Sequence, residues 1–181
     1  VNAYNTICIG GPVLFSLKDN SYPSETFPII INSNAYASAV NTLTIKPAAG
    51  ITPVITGSNA NGIIKLSGAD YVTIDGSNTV GGTTRNLTLI NTSSNTTTST
   101  IVWLASASAS NGATNNSVKH CTLTGNSPST TFTALLSSGI VAGDIAEAAN
   151  SNNTYQNNLI NRCQTAIALV GATGNEQGNI I

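Results

Sequence analysis

Seven carboxylates, one histidine and one tryptophan carry most of the chemistry open to this chain of 181 residues. The carboxylates are Asp19, Glu25, Asp70, Asp75, Asp144, Glu147 and Glu176. Acid–base cleavage of a glycosidic bond needs two carboxyl groups flanking that bond. Here no two are adjacent or separated by a single residue, so no catalytic residue is assigned. Asp75 precedes Gly76 and reads as a turn cap. Asp144 and Glu147 share the loop from Gly143 to Asn150 and form the acidic pair best placed to reach one cation. Ca²⁺ needs about six or more oxygens, which Asn150 and backbone carbonyls could help supply. Asp144, Glu147 and Asn150 are therefore the candidate metal ligands, although Asp144 to Ala149 could instead form a helical turn.

His120 invites a general-base reading. No Ser or Cys nucleophile with an orienting carboxylate can be placed beside it, and Cys121 next to it on a strand points the other way. A polar position in a stacked column suits His120 better. Trp103 is the candidate binding residue, since an exposed aromatic on a flat sheet stacks on sugar rings or anchors protein contacts. The competing reading is packing beneath the long loop from Ala105 to Thr114. Cys8, Cys121 and Cys163 match no zinc or redox spacing and read as small apolar thiols, with a Cys121–Cys163 disulfide as the alternative.

The elements that must hold these residues are set by a repeat. Alternating apolar pairs recur as Ile64 and Leu66, Val102 and Leu104, Ile140 and Ala142, and Ile167 and Leu169, with lead residues 38, 38 and 27 apart. The residue between each pair (Lys65, Trp103, Val141 or Ala168) then faces away from the core. A second copy follows Asn-rich turns: Val118 and Leu123 correspond to Tyr155 and Ile160. Asn86, His120 and Asn157 share one column of that scheme, and Leu89, Leu123 and Ile160 share another. Strands recurring in register, with variable turns at Thr92–Ser99, Ala105–Thr114 and Ser127–Thr133, predict an all-β solenoid, a parallel β-helix. Asn suits its polar ladders because the amide both donates and accepts. A β-sandwich would explain Asn61-Gly62 as a hairpin turn but not the long-range register.

Composition agrees. Asn, Ser and Thr exceed a third of the chain, only 7% is charged, and Met is absent, a balance favouring strands and tight turns over helices. The net charge of −1 leaves no electrostatic footprint for nucleic acid, and no apolar run is long enough for membrane insertion. One domain is expected over residues 1–181, and the sequence reads as a fragment of a larger protein. Residues 1–40 make an N-terminal cap and first coil, with Val1–Ile9 as the cap, and 41–181 make stacked coils. The far end needs further polypeptide or a partner to cover its strand edges.

The runs Leu43-Thr-Ile-Lys-Pro-Ala-Ala-Gly, Pro53-Val-Ile-Thr-Gly and Ile63 to Asn78 resemble the opening β-helix module of large exported bacterial proteins, often type IX secretion substrates. The likeness continues through Thr84–Leu89, Ile101–Leu104 and Gly112–Asn116, with Gly11–Phe15 and Tyr22–Glu25 as its first coil. It implies a right-handed, pectate-lyase-like helix at the bacterial cell surface or outside the cell. Such modules serve adhesins, filaments, binding proteins and polysaccharide-degrading enzymes alike. The expected function is a non-catalytic structural or adhesive module with polysaccharide or neighbouring subunits as partners. The alternative is a polysaccharide lyase or glycoside hydrolase with its site partly outside this chain. Ice binding by Thr rows is a third reading, disfavoured because the Thr-x-Thr pairs do not follow the repeat.

Overall fold

A computed structural model describes residues 1–172 and 176–181. The chain winds through about five coils. The first contributes β1 (Val13–Leu17) and β2 (Ile29–Asn32). The second contributes β3 (Leu43–Pro47), β4 (Val54–Gly57) and β5 (Ile64–Ser67), and the third β6 (Val72–Asp75), β7 (Leu87–Asn91) and β8 (Thr100–Ala105). The fourth carries β9 (Ser117–Lys119), β10 (Cys121–Gly125) and β11 (Thr133–Ser138), and the fifth β12 (Thr154–Gln156), β13 (Leu159–Asn161) and β14 (Thr165–Leu169). Like strands stack into three sheets, β1-β3-β6-β9-β12, β4-β7-β10-β13 and β2-β5-β8-β11-β14, and every strand pairing is parallel. The described residues contain no helix, so Asp144 to Ala149 is an irregular loop rather than a helical turn.

Period-two alternation fills the interior. The first sheet points Phe15, Ile45, Ile74, Val118 and Tyr155 inward in one column. The second stacks Ile55, Leu89, Leu123 and Ile160, as the sequence register predicts. The third stacks Ile29, Ile64, Val102, Leu135 and Ile167. Each buried aliphatic contributes about 1.5–3 kcal/mol, and the stacked rows form one continuous core.

One expected copy is corrected here. Leu135 and Ser137, not Ile140 and Ala142, continue the column of Val102 and Leu104, giving lead spacings of 38, 33 and 32. Leu136, not Val141, is the outward neighbour of Trp103. The true pair ends in Ser, and β11 is buried on both faces, so its alternation is masked; Ile140 lies exposed in the following loop.

Two corner columns bend the coil. Tyr71, Asn115 and Asn152 adopt φ of 57–58°, and Gly178 follows at 68°. Each side chain next after the corner in the later coils is an Asn, buried at Asn116 and Asn153, that reaches along the axis. Asn116 Oδ1 accepts the Val72 N–H at 2.9 Å, Asn153 Oδ1 accepts the Asn116 N–H at 2.9 Å, and Asn179 Oδ1 accepts the Asn153 N–H at 2.8 Å. This is the Asn ladder, and its members differ from those expected. His120 and Asn157 do share the other corner, at φ of 57° and 50°, but their side chains do not bond to each other along it. Asn86 belongs to an insertion after Gly76, where its Oδ1 accepts the Thr84 hydroxyl at 2.6 Å. His120 reaches instead to Asp75 one coil earlier, and Asn157 to the Thr83 carbonyl in that insertion. Gly76 occupies the same corner one coil earlier, and a Cβ there would lie 1.8 Å from the His120 carbonyl oxygen.

Candidate functional site

Two places gather the chemistry-bearing side chains. The first is the corner between the first and second sheets. Asp75 ends β6 and is aligned with Lys119, which ends β9 one coil later, so the following corner residue, His120, lies beside the carboxylate. His120 Nδ1 is 2.9 Å from Asp75 Oδ1, the Ser77 N–H donates to the same oxygen at 3.0 Å, and Lys119 Nζ stands 3.7 Å from Oδ2. Burial pushes the Asp75 carboxyl up, but the Ser77 and His120 hydrogen bonds and the Lys119 charge prevail and hold it below the usual carboxylate range. Asp75 thus caps its turn and also ties two coils together. Cys121 is buried next to this pair, and burial pushes its thiol far up, so it offers no thiolate nucleophile. All three cysteines are free, Cys163 half-buried with its thiol raised to about 11 by burial and Cys8 exposed.

The second place is the outer face of the third sheet. The outward column runs Ile30, Lys65, Trp103, Leu136 and Ala168. Parity alone puts Trp103 on this face, as expected, but its ring is only 2% exposed. The cover is not the loop from Ala105 to Thr114. It is the strap after β11, whose Ala142 packs with Trp103, Leu136 and Ala105 beside Phe132 and Val170. Trp103 Nε1 donates to Ser138 Oγ at 3.0 Å, and that hydroxyl also accepts the Gly143 N–H at 3.2 Å. Lys65 Nζ sits 3.6 Å from the Trp103 ring centroid and donates to the Ile140 carbonyl at 3.3 Å. Burial lowers the Lys65 pKa.

The strap also carries the three candidate metal ligands, and it holds two of them. Glu147 accepts the Ser106 hydroxyl and, at 2.9 Å, the Ile140 N–H, with the Ser106 hydroxyl holding its carboxyl below the usual range. Asn150 is fully buried: its Oδ1 accepts the Ala113 N–H at 2.8 Å, and its amide donates to the Ser138 carbonyl at 3.0 Å. Asp144 is exposed on the strap. Glu147 and Asn150 are thus engaged in pinning the strap to the coils. Beyond it, Asp70 accepts the Thr114 N–H and hydroxyl and joins Glu147, Ser110 and Asn111 around a polar hollow of about 440 Å³. Among the described residues, no three His, Cys, Asp or Glu side chains converge as a metal-binding group.

Sequence reasoning missed Lys65, Ser106 and Ser138 as parts of this arrangement. Lys65 was open to it, because the 38-residue offset that stacks Ile64 on Val102 stacks Lys65 on Trp103. Ser106 meets Glu147 through loops, which carry no period, whereas Ser138 lies on β11, the strand whose register the sequence misplaced, and meets Trp103 on the paired β8. The chain matches no family model, no curated protein and no solved structure.

Proposed function

We propose that this β-helix is a non-catalytic structural and adhesive module that works outside a bacterial cell, holding loops out from rigid coils for contact with glycans or neighbouring subunits. One contrast carries the reading. The side chains able to do acid–base work at the corner and the strap, Asp75, His120 and Glu147, are hydrogen-bonded within the fold, whereas apolar side chains face solvent on the connections between strands. Val80, in the insertion after Gly76, is 95% exposed, and Val40, Val141 and Ile145 are exposed on other connections. Exposed apolar groups on loops over a stiff frame suit contact rather than turnover. The likeness to exported modules, including type IX substrates with right-handed, pectate-lyase-like helices, supplies the extracellular setting.

Purified protein applied to a glycan array and to immobilised cells tests the reading. Saturable binding that weakens in Val80→Asp is expected, without release of product. Unsaturated, ultraviolet-absorbing products from pectin or alginate in the presence of Ca²⁺ would overturn it.

A further inference from the structure

The strap buries Trp103 and Leu136, but of the outward column's first two members it leaves Ile30 exposed and reaches Lys65 through the Ile140 carbonyl. What remains is a groove of about 350 Å³, with Pro28, Ile30, Ile140 and Val141 on its apolar side and Asn61 and Thr98 beside Lys65 on its polar side. Its volume is in the range of small-molecule sites. The apolar side is open, with Ile30, Ile140 and Val141 at 40%, 46% and 56% exposure. The floor carries a half-buried cation. An ammonium has three N–H donors. Among the described residues, the one hydrogen bond from Lys65 Nζ goes to the Ile140 carbonyl, and the Trp103 face is its other neighbour.

No carboxylate lies within ion-pair distance of Lys65 among the described residues; both ion pairs present there involve Asp75. Glu147, the acid whose charge reaches Lys65, is held by Ser106 and the Ile140 N–H. A cation that has lost part of its hydration without gaining an anion is stabilised by any anion brought to it. The exposed apolar side formed by Ile30, Ile140 and Val141 favours an anion that carries an apolar body. A sugar ring does not meet this demand through stacking, because the Trp103 face is occupied by Lys65 and the ring is buried.

We propose that this groove binds a small amphiphilic carboxylate, with the carboxylate on Lys65 Nζ and the aliphatic or aromatic body against Ile30, Ile140 and Val141. The site does not depend on the loops binding glycans or subunits. Trp103 is the chain's single tryptophan and forms part of the groove, so its fluorescence reports occupancy directly.

Octanoate is the probe, with 1-octanol and octylammonium as comparators, followed by Trp103 emission and by calorimetry. Octanoate is expected to give a saturable change with affinity in the millimolar range or tighter, and octylammonium none. Lys65→Met should weaken octanoate at least about tenfold while circular dichroism is unchanged. Val141→Asp, on an exposed strap residue with Lys65 intact, provides a second variant that should also weaken it. Equal affinity for octanol, undiminished binding in Lys65→Met or, if that variant does not fold, in Val141→Asp, or no saturable signal would each overturn the site.

Discussion

Asp75 shows how one side chain can serve as turn cap and coil tie together. Because its carboxyl is held below the ordinary range, its contribution to stability is fully present above its unfolded pKa of about 3.9 and disappears as pH falls through the lower folded value. Asp75→Asn should therefore lose about 1–3 kcal/mol near neutral pH and show a shallower loss of stability on acidification. Denaturant melts across pH check this, and parallel acid limbs for the two proteins would contradict it. The opposite case is Tyr155. It is buried, and apart from the approach of the Ser137 hydroxyl, which falls short of hydrogen-bond geometry, its hydroxyl has no partner among the described residues. Removing an unsatisfied buried hydroxyl is neutral or stabilising, so Tyr155→Phe should leave the melting temperature unchanged or raise stability by up to about 1 kcal/mol. A clear loss of stability would show that the hydroxyl is engaged.

At the level of elements, strands were legible where two apolar columns alternate cleanly. Leu89, Leu123 and Ile160 stack as their spacing requires, and so do Val118 and Tyr155. β11 was illegible because Ala134, Leu135 and Leu136 are all buried, which erases the alternation, while exposed Ile140 imitates it. The candidate site was legible only in part: parity put Trp103 on the outer face, but its cover and the bonds of Glu147 and Asn150 depend on an aperiodic strap. The Asn ladder left a readable trace, the doublets Asn115-Asn116 and Asn152-Asn153, in which the first residue takes the left-handed corner and the second is buried. Asn153 sits at the centre, donating to the Ala113 and Asn150 carbonyls at 2.9 and 3.0 Å and accepting the Asn116 N–H. Asn153→Ala strands these groups and should cost about 3 kcal/mol. Asn95→Ala, in an exposed turn, should cost about 1 kcal/mol or less, and thermal melts of the two variants check the contrast.

Across the whole molecule, each coil touches chiefly the coils before and after it, so stability is a sum over rungs strung along the continuous core. That arrangement lets connections such as 76–86 and 139–153 lengthen without disturbing the stacked columns, because an insertion leaves the axis at a corner. It also places the strand-to-strand hydrogen bonds along the axis, joining residues such as Ile64 and Val102 a full circuit apart. Under a mechanical load applied at the two ends, those bonds lie in line with the force and fail one rung at a time instead of sharing it. Single-molecule stretching should show a ladder of small steps, each releasing roughly 110 Å of contour for a coil of about thirty-three residues. One abrupt rupture would mean the coils yield together. A tether built this way lengthens under strain while its remaining coils stay folded.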